Sequence, residues 1–400
     1  MKTKILFVDD EANVLSGLRR MLRGQRNEWE MEFANGGAAA LELMESKSFD
    51  VVVSDMRMPG IDGAELLTRV SKLYPHTVRL VLSGQSEHEK IFRAIGPAHQ
   101  FMSKPCDPEV LIQTIQRACG LQSQLHDEPL IRLISQIDSL PSLPEIYRDL
   151  VHELESDDAS LDRVANMIGS DMGMTAKVLQ LVNSSFFGLP QDVSCPKHAV
   201  SLLGLNVIRP LVLTADVFSM YEDPELDGFH LSESIEHCLA VATAARAIAE
   251  EETSDSHIIN DSFIAGMMHD IGKLILSANL RETFAEATEL AKNANISLAE
   301  AEEKVFGTSH AQVGAHLLGL WGLPNPIVEA VAFHHQPCHS GNDEFSALTA
   351  VHAANVIQQQ RYPGDRTPVR PDWDLAYLEQ IGLADRTEAW TLLTAPEPVA

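Results

Sequence analysis

Five polar residues in the N-terminal part of the chain follow four of its apolar runs, and together they could carry out phosphoryl chemistry. They are Asp9-Asp10, Asp55, Ser83 and Lys104. If the apolar runs are parallel strands, the carboxyl ends of those strands meet in one crevice. Three carboxylates in one crevice need a cation, and hard oxygen ligands suit Mg²⁺. The lysine would add a compensating positive charge, and the serine hydroxyl could donate to a phosphoryl oxygen.

This combination favours the formation of an acyl phosphate on an aspartate. In that chemistry a carboxylate attacks phosphorus, while Mg²⁺ offsets charge on the phosphoryl oxygens. The alternative is that these aspartates merely end strands and cap helices. That alternative explains any single residue, but it does not explain the whole set in this order.

A second group of residues with metal-binding chemistry lies in the C-terminal part, where 13 of the 16 histidines follow residue 125. The candidates are His237, His269-Asp270, His310 and His334-His335. Imidazole and carboxylate ligands on separate helices can surround one or two metal ions, which would activate water to attack a phosphoester. A buried histidine is more often a hydrogen-bonded core residue, so both interpretations stay open.

The elements that must position the first group alternate in type. Strand-like runs occur at Lys4–Val8, Trp29–Phe33, Val51–Ser54, Val78–Leu82 and His99–Met102. Amphipathic stretches separate them at Ala12–Leu22, Gly37–Glu45, Gly63–Leu73, Glu87–Ile95 and Pro108–Cys119. Five strands alternating with five helices predict an α/β domain over residues 1–121, with a five-stranded parallel sheet covered on both faces.

The pattern changes after Gly120. Residues 122–130 form a short segment that begins with polar residues, and we interpret it as a linker, although its first part could instead be the tail of the fifth helix. From residue 131 to residue 360 nearly every segment has helical period, Pro and Gly separate the segments, and no convincing strand pair appears, which predicts an all-α domain. Residues 361–400 form a tail rich in Pro and Asp with short helical stretches at Leu375–Ile381 and Trp390–Leu393.

Charge and composition exclude several classes of protein. The formal net charge is -27, and residues 123–400 carry 41 acidic against 15 basic side chains. An acidic surface repels phosphate backbones, so we expect no DNA binding and disfavour a transcription factor. No apolar run reaches the roughly 18 to 20 residues of a membrane helix, and the N-terminus lacks the features of a signal peptide. Five scattered cysteines fit a reducing cytoplasm.

The first 120 residues resemble the receiver domains of two-component response regulators. The matching motifs are Phe7-Val-Asp-Asp10, Asp55-Met-Arg-Met-Pro-Gly-Ile-Asp-Gly63, Ser83-Gly84 and Lys104-Pro105. The resemblance implies a flavodoxin-like fold, phosphorylation by a sensor histidine kinase, and Asp55 as the phosphoacceptor. It further implies that Mg²⁺ binds Asp9, Asp10, Asp55 and the backbone carbonyl of Arg57. Ser83 and Lys104 would sense the phosphoryl group, Phe101 would be the switch aromatic, and the Lys104–Pro105 peptide bond would be cis.

The C-terminal part resembles the HD superfamily and, more specifically, the HDOD output domain. The specific segments are Leu140–Glu145, Ile168–Leu179, Val182–Gly188 and Ala199–Leu205. The resemblance covers residues 131–360, with an HD-like core at about 231–360, and implies a helical scaffold that binds partner proteins. Several residues also match the metal ligands of the HD-GYP cyclic-dinucleotide phosphodiesterases: His237, His269, Asp270, His310, His334 and His335. Lys273 matches a lysine that binds substrate phosphate there.

Two departures from the HD-GYP pattern argue against turnover. Asn355 stands where the superfamily has its last metal-ligating aspartate, and the Gly-Tyr-Pro element after His335 is absent. An asparagine brings no charge, so it weakens a site for hard cations.

The leading hypothesis is a response regulator, expected to be a homodimer, whose output domain contacts an unknown downstream protein. The alternative is a regulated, metal-dependent phosphodiesterase that acts on a cyclic dinucleotide. A transition metal such as Fe, Mn, Ni or Zn would then occupy the histidine site.

Overall fold

The computed structural model describes most of the chain. The described residues are 2–84, 98–122, 140–142, 149–150, 152–154, 156, 159–183, 193–205, 208, 218–220, 225–226, 229–361 and 372–394. The predicted fourth helix, Glu87–Ile95, lies outside these residues. The predicted linker 122–130 does as well, apart from residue 122.

The N-terminal domain contains one parallel five-stranded sheet. Its strands are β1 (Thr3–Asp9), β2 (Trp29–Asn35), β3 (Val51–Asp55), β4 (Val78–Gly84) and β5 (Gln100–Lys104). They lie in the order β2-β1-β3-β4-β5, and every neighbouring pair is parallel. This is the flavodoxin-like order, so the prediction of a five-stranded α/β domain is confirmed.

Helices cover both faces of this sheet, because its central strands are apolar on both sides. The described helices are α1 (Ala12–Met21), α2 (Gly37–Ser46), α3 (Gly63–Leu73) and α4 (Pro108–Gln122). In β1, Ile5 to Val8 are all buried, as are Val51 to Val53 in β3. Two buried faces explain why these strands appear in the sequence as continuous apolar runs.

Gly63 fixes the position of the end of β3. A Cβ atom at this residue would lie 2.2 Å from the carbonyl oxygen of Asp55, so only glycine allows α3 to begin this close to the strand. The Asp62 side chain caps the same helix by accepting a hydrogen bond from the Glu65 backbone N–H at 2.8 Å. The start of α3 therefore packs directly against Asp55.

The C-terminal part is mostly helical, as predicted. Its longer described helices are α5 (Leu161–Gly169), α6 (Met172–Val182), α7 (Pro196–Leu203), α8 (Leu231–Glu252), α9 (Ser256–Met268), α10 (Ile271–Asn279), α11 (Arg281–Ala294), α12 (Leu298–Phe306), α13 (His310–Leu320), α14 (Asn325–Phe333) and α15 (Ala347–Arg361). Two short helices, α16 (Leu375–Gln380) and α17 (Thr387–Leu393), follow in the tail.

Short strand pairs in this part differ from the expectation of an all-helical region. Leu140–Ser142 pairs with Phe218–Met220 in parallel, and Glu225–Leu226 pairs with Phe229–His230 in antiparallel. Segments of two or three residues are too short to show an alternating pattern, so the sequence gives no sign of them.

Two glycines allow helices in this part to approach each other closely. A Cβ atom on Gly272 would lie 1.9 Å from the carbonyl oxygen of His310, which is closer than any real contact. A Cβ atom on Gly266 would lie 2.7 Å from the Cα of Ala242. The first approach brings α10 against the start of α13, and the second brings α9 against α8.

The sheet contacts the helical part at the beginning of β5. The Gln100 side chain donates a hydrogen bond to the Leu320 carbonyl at 2.9 Å, at the C-terminal end of α13. The Gln180 side chain of α6 donates to the His99 carbonyl at 3.0 Å. Helix α4 also packs against α13. One end of α13 is therefore held by the N-terminal domain.

Among the described residues, no helix has both the length and the apolar character that a membrane span requires.

Candidate functional site

An acidic pocket lies at the carboxyl edge of the sheet, where β1, β3 and β5 end. The Lys104 ammonium donates to Asp9 Oδ2 at 2.7 Å and forms a short ion pair with Asp55 Oδ1. Backbone N–H groups satisfy the other oxygens: that of Glu11 donates to Asp9 at 2.8 Å, and that of Arg57 donates to Asp55 at 2.7 Å. One lysine thus bridges two buried carboxylates.

The electrostatics of this pocket are unbalanced, since two carboxylates share one ammonium. Burial raises the pKa of Asp55, and the opposing hydrogen bond and charge of Lys104 do not cancel this effect. Burial alone would lower the pKa of Lys104, but its hydrogen bonds to Asp55 and Asp9 raise it instead. An additional cation beside Asp9 and Asp55 would relieve their mutual repulsion.

The remaining residues predicted for this site lie on the same strand ends or next to them. Asp10 is exposed beside Asp9, and the Arg57 backbone contacts Asp55. Ser83 is fully buried near the carboxyl end of β4, whereas Phe101 is buried near the beginning of β5, where it pairs with Val81 of β4. The Lys104–Pro105 peptide bond is cis, as expected. The donor atoms contributed by Asp9, Asp10 and Asp55 are all oxygens, which fits Mg²⁺.

A histidine cluster lies in the helical part, and the ends of several helices form it. His237 lies in α8, His269 directly follows α9, His310 begins α13, and the pair His334-His335 directly follows α14. The rings of neighbouring members lie 4.0 to 5.7 Å apart between centroids. The structure therefore brings all the predicted histidines together.

The carboxylate of Asp270 is at the centre of this histidine cluster. Its Oδ2 atom lies 2.7 Å from Lys273 Nζ and 3.3 Å from His269 Nε2. Its Oδ1 atom lies 3.3 Å from His310 Nε2 and 3.9 Å from His334 Nε2. The Nε2 atoms of the cluster thus converge on one buried carboxylate.

Hydrogen bonds on the far side of the rings fix which nitrogen carries the proton. His269 Nδ1 lies 2.7 Å from the Gly266 carbonyl, and His334 Nδ1 lies 2.9 Å from the Val331 carbonyl. A carbonyl oxygen can only accept, so both Nδ1 atoms must donate. In the neutral form, each of these two rings presents its Nε2 lone pair to the interior of the cluster, as metal-binding histidines do.

Four buried atoms of the cluster that could serve as metal ligands have no hydrogen-bond partner among the described residues. They are the Nε2 atoms of His237, His269 and His334 and the Oδ1 atom of Asp270. Buried polar atoms are almost always paired, and the lone pairs converging here are those that a cation would bind. Two sets of three residues have ligand atoms within 4.8 Å of one another: His310, His334 and His335, and His237, His269 and Asp270.

Burial favours the neutral form of His237, His334 and His335. It lowers the pKa of His237 to about 4, and together with neighbouring rings it holds the pKa values of His334 and His335 well below the ordinary value. At His310, by contrast, the effect of burial is outweighed by the charge of Glu302 and the contact with Asp270, which raise the pKa. Burial alone would raise the pKa of Asp270, but His269 and Lys273 hold it well below its usual range. Neutral imidazoles and an ionised carboxylate are the protonation states that bind metal.

Asn355 lies beside this cluster but does not add a charge to it. Burial lowers the pKa of His237, and the neighbouring Asn355 side chain opposes this effect. The Asn355 side-chain oxygen accepts a hydrogen bond from Gln359 at 2.8 Å. Asp270 therefore remains the one anion among the predicted ligands.

Two residues at this site were missed by the sequence reasoning. Glu302 is fully buried in α12 and contacts His310 Nδ1 at 2.6 Å. His352 Nδ1 lies 2.9 Å from the His334 carbonyl. A glutamate on the apolar face of α12, between Leu298 and Phe306, was the available signal for the first. His352 had no comparable signal, because α15 is buried almost throughout.

Comparison with known families agrees with this two-part organisation. Residues 5–116 match the model of the response regulator receiver domain, and residues 140–337 match the model of the HDOD domain. The chain therefore combines a receiver domain with an HDOD domain, as its motifs indicated.

Individual relatives share parts of this organisation. An uncharacterized protein of Treponema pallidum is 24% identical over 281 residues, which make up 69% of this chain and 52% of that protein. The hydrogenase transcriptional regulatory protein HoxA of Bradyrhizobium diazoefficiens is 35% identical over 119 residues, or 29% of this chain and 24% of HoxA. This chain thus spans about half or less of the length of these curated relatives.

A solved structure shares the fold. The MmoQ response regulator of Methylococcus capsulatus is 23% identical, and the superposition covers 65% of this chain and 99% of that chain with a TM-score of 0.50.

The raised pKa of Asp55 leads to a prediction for stability. A carboxyl whose pKa is higher in the folded than in the unfolded state destabilises the fold while it is ionised. Without divalent cations, Asp55→Asn should therefore raise the unfolding temperature of the full chain near neutral pH in differential scanning calorimetry. The advantage should shrink as the pH falls through the pKa of Asp55, because the wild-type carboxyl is then neutral as well.

The exposed residue Glu42 in α2 provides the control. Glu42→Gln should change stability by less than about 0.5 kcal/mol, as surface substitutions usually do. An Asp55→Asn variant that is less stable than wild type at neutral pH would contradict the conclusion that the ionised Asp55 carboxylate destabilises the fold.

Proposed function

We propose that this response regulator, in which a receiver domain precedes an HDOD domain, is phosphorylated on Asp55 by a sensor histidine kinase and then acts on a downstream protein by direct contact. The acidic pocket carries this proposal, because Lys104 joins Asp9 and Asp55 at the carboxyl edge of the sheet. We place this exchange in the cytoplasm, where the scattered cysteines would stay reduced.

The side chains of the pocket divide the phosphoryl transfer between them. An oxygen of Asp55 would attack the phosphorus of a phosphohistidine, so an O–P bond forms while the P–N bond breaks. Lys104 would remain beside the new phosphoryl group and offset part of its charge. Asp9, Asp10 and Asp55 would hold Mg²⁺, with the Arg57 carbonyl as a further ligand, and this ion supplies charge neutralisation on the transferred group.

The contact between β5 and α13 supports a route from the pocket to the HDOD domain. Ser83 would bind a phosphoryl oxygen, and the space that its hydroxyl vacates would admit the Phe101 ring. Gln100 precedes Phe101 on β5 and holds the Leu320 carbonyl of α13. A shift of β5 would therefore alter the position of α13. We expect the changed HDOD surface to bind the partner protein or to rearrange a homodimer.

Mass spectrometry can identify the phosphoacceptor. Incubation with acetyl phosphate and Mg²⁺ should add one phosphoryl group to the wild-type chain, measured by intact mass spectrometry. Asp55→Asn should add none, because it lacks the nucleophile. Asp10→Ala should also lose labelling, through loss of Mg²⁺ binding. Equal labelling of wild type and Asp55→Asn would exclude Asp55.

Another prediction concerns transmission of the signal from the receiver. Gln100→Ala removes a hydrogen bond worth about 1 kcal/mol but leaves the acidic pocket intact. The variant should be phosphorylated like wild type, whereas the phosphorylation-dependent change in amide exchange along α13 should become smaller. Hydrogen-exchange mass spectrometry measures this difference.

Gln25→Ala is the matched control, since Gln25 precedes β2 at the opposite edge of the sheet. It should respond to phosphorylation like wild type. An unchanged response of α13 in Gln100→Ala would mean that the signal leaves the receiver elsewhere.

A second candidate function is favoured by the four atoms of the histidine cluster that could bind a metal and have no hydrogen-bond partner among the described residues. We propose that the cluster binds a single transition-metal ion such as Fe²⁺, Mn²⁺, Ni²⁺ or Zn²⁺, because imidazole suits these metals. His237, His269, Asp270, His310, His334 and His335 would supply the ligands. Bound metal would polarise a water or a phosphate oxygen.

Charge argues against efficient phosphodiesterase activity at this cluster. Two divalent cations would bring four positive charges, and Asp270 is the one anion among the predicted ligands. Asn355 supplies none, and its oxygen is bound by Gln359. Lys273 already forms an ion pair with Asp270, although it could turn to a substrate phosphate. We therefore expect at most slow turnover of a cyclic dinucleotide.

A further prediction tests this metal site. Protein purified without added metal should contain at most one tightly bound transition metal per chain by elemental mass spectrometry. His269→Ala should lose it, whereas Asn355→Asp should raise metal occupancy by adding a carboxylate. Cyclic di-GMP should be hydrolysed slowly or not at all.

The exposed residue His257, on the same helix α9 that precedes His269, provides the control. His257→Ala should keep the wild-type metal content. Two metals per chain with rapid hydrolysis would establish an enzyme instead, and wild-type protein without metal would make the histidines structural.

A further inference from the structure

We infer that Glu302 is a positioning residue, which holds the His310 ring so that its Nε2 atom faces the histidine cluster and strengthens the binding of a divalent metal there. This inference rests on the proposed metal site. Its own basis is a pair of contacts between one glutamate oxygen and two nitrogens of a single histidine.

Glu302 lies on a face of α12 that otherwise carries apolar side chains. Ala301 and Phe306 on the same helix are buried, and Glu302 is buried with them at 0% exposure. An ionised carboxylate in such a place is costly unless it is well paired. The identity of its partners therefore indicates what the charge is for.

Both contacts of Glu302 are made to His310. Its Oε2 atom accepts a hydrogen bond from the His310 backbone N–H at 2.8 Å and lies 2.6 Å from the ring Nδ1. The backbone contact replaces a helix cap, because Ser309 makes no side-chain capping bond at the start of α13. One oxygen thus holds the main chain and the ring of the same residue, which leaves the ring little freedom to turn.

The contact with Nδ1 determines what the other side of the ring presents. A carboxylate accepts, so Nδ1 carries a proton and donates it, and Nε2 points the opposite way. There Nε2 lies 3.3 Å from Asp270 Oδ1 and 3.0 Å from His335 Nε2. When the ring is neutral, its Nε2 atom can accept a proton from His335, but it faces Asp270 Oδ1 acceptor to acceptor, and a cation between these two atoms would make that contact favourable.

A purely structural role does not account for the charge on Glu302. The second oxygen, Oε1, is buried and has no hydrogen-bond partner among the described residues. A cap alone needs one neutral acceptor at the start of α13, and an uncharged side chain could provide it at lower cost. A carboxylate behind the ring also makes the imidazole a stronger metal ligand, which a neutral acceptor does less well.

The first measurement is Zn²⁺ affinity of the full chain by calorimetric titration, with excess Mg²⁺ present to occupy the receiver. Glu302→Ala should bind about 10 to 100 times more weakly than wild type, the usual effect of removing such a partner. Glu302→Gln keeps an acceptor and should recover part of the loss. Glu303→Ala, on the exposed side of the same helix, should bind like wild type.

The second measurement reads the ring directly in metal-free protein. Nuclear magnetic resonance of histidine-labelled protein should show a His310 proton on Nδ1, shifted downfield by the short contact with a carboxylate. The proton should lose that shift in Glu302→Ala and keep part of it in Glu302→Gln. Circular dichroism and thermal unfolding identify variants that have lost the fold, in which case Glu302→Gln carries the comparison.

The outcomes separate this inference from the metal proposal. Wild-type Zn²⁺ affinity in a folded Glu302→Ala variant, or a His310 ring protonated on Nε2 alone, would overturn the inference. A wild-type chain that takes up no Zn²⁺ would refute the metal site, and the Nδ1 proton would then still decide whether Glu302 orients the ring.

Discussion

The buried charge of Asp270 is the constraint on which the helical part of this molecule depends. Its side chain is 3% exposed, and removing an unpaired carboxylate from water to such a degree costs several kcal/mol. Lys273 and the surrounding imidazoles keep it ionised. They come from α8, α10, α13 and the segments that follow α9 and α14, so these elements must meet at one point. The absence of a side chain at Gly272 and Gly266 lets them approach closely enough.

Both candidate sites contain buried charge that a bound cation would balance, but they differ in the chemical type of their ligand atoms. In the receiver, two buried carboxylates share Lys104, and the arrangement lacks positive charge. In the HDOD domain, imidazole rings surround one carboxylate and Lys273, and the unpartnered lone pairs could bind a cation. Oxygen donors on strand ends suit a small hard ion that keeps its waters, whereas imidazoles held by backbone carbonyls suit a transition metal.

The sequence predicted most of the receiver because its signals are local. A strand that is buried on both faces appears as an apolar run, and the pocket residues end those runs. The histidines could be grouped through a family resemblance, and the fold brings them together. Glu302 was not found, because a charge within an apolar stripe is visible only when the helix ends are known. The contact between Gln100 and Leu320 joins residues 220 positions apart, and no local pattern specifies such a pairing.

Helix α13 connects the histidine cluster of the HDOD domain with the contact surface of the receiver. His310 at its first position belongs to the histidine cluster, and Leu320 at its last position belongs to the contact with the receiver. All its residues except Gln312 are buried, so the helix spans about 16 Å without a point at which it could bend freely. The receiver and the HDOD domain are therefore not freely exchangeable parts. A receiver with a different edge at β5 would hold the end of α13 differently, so exchanging the receiver should also affect the geometry of the histidine cluster at the other end of the helix.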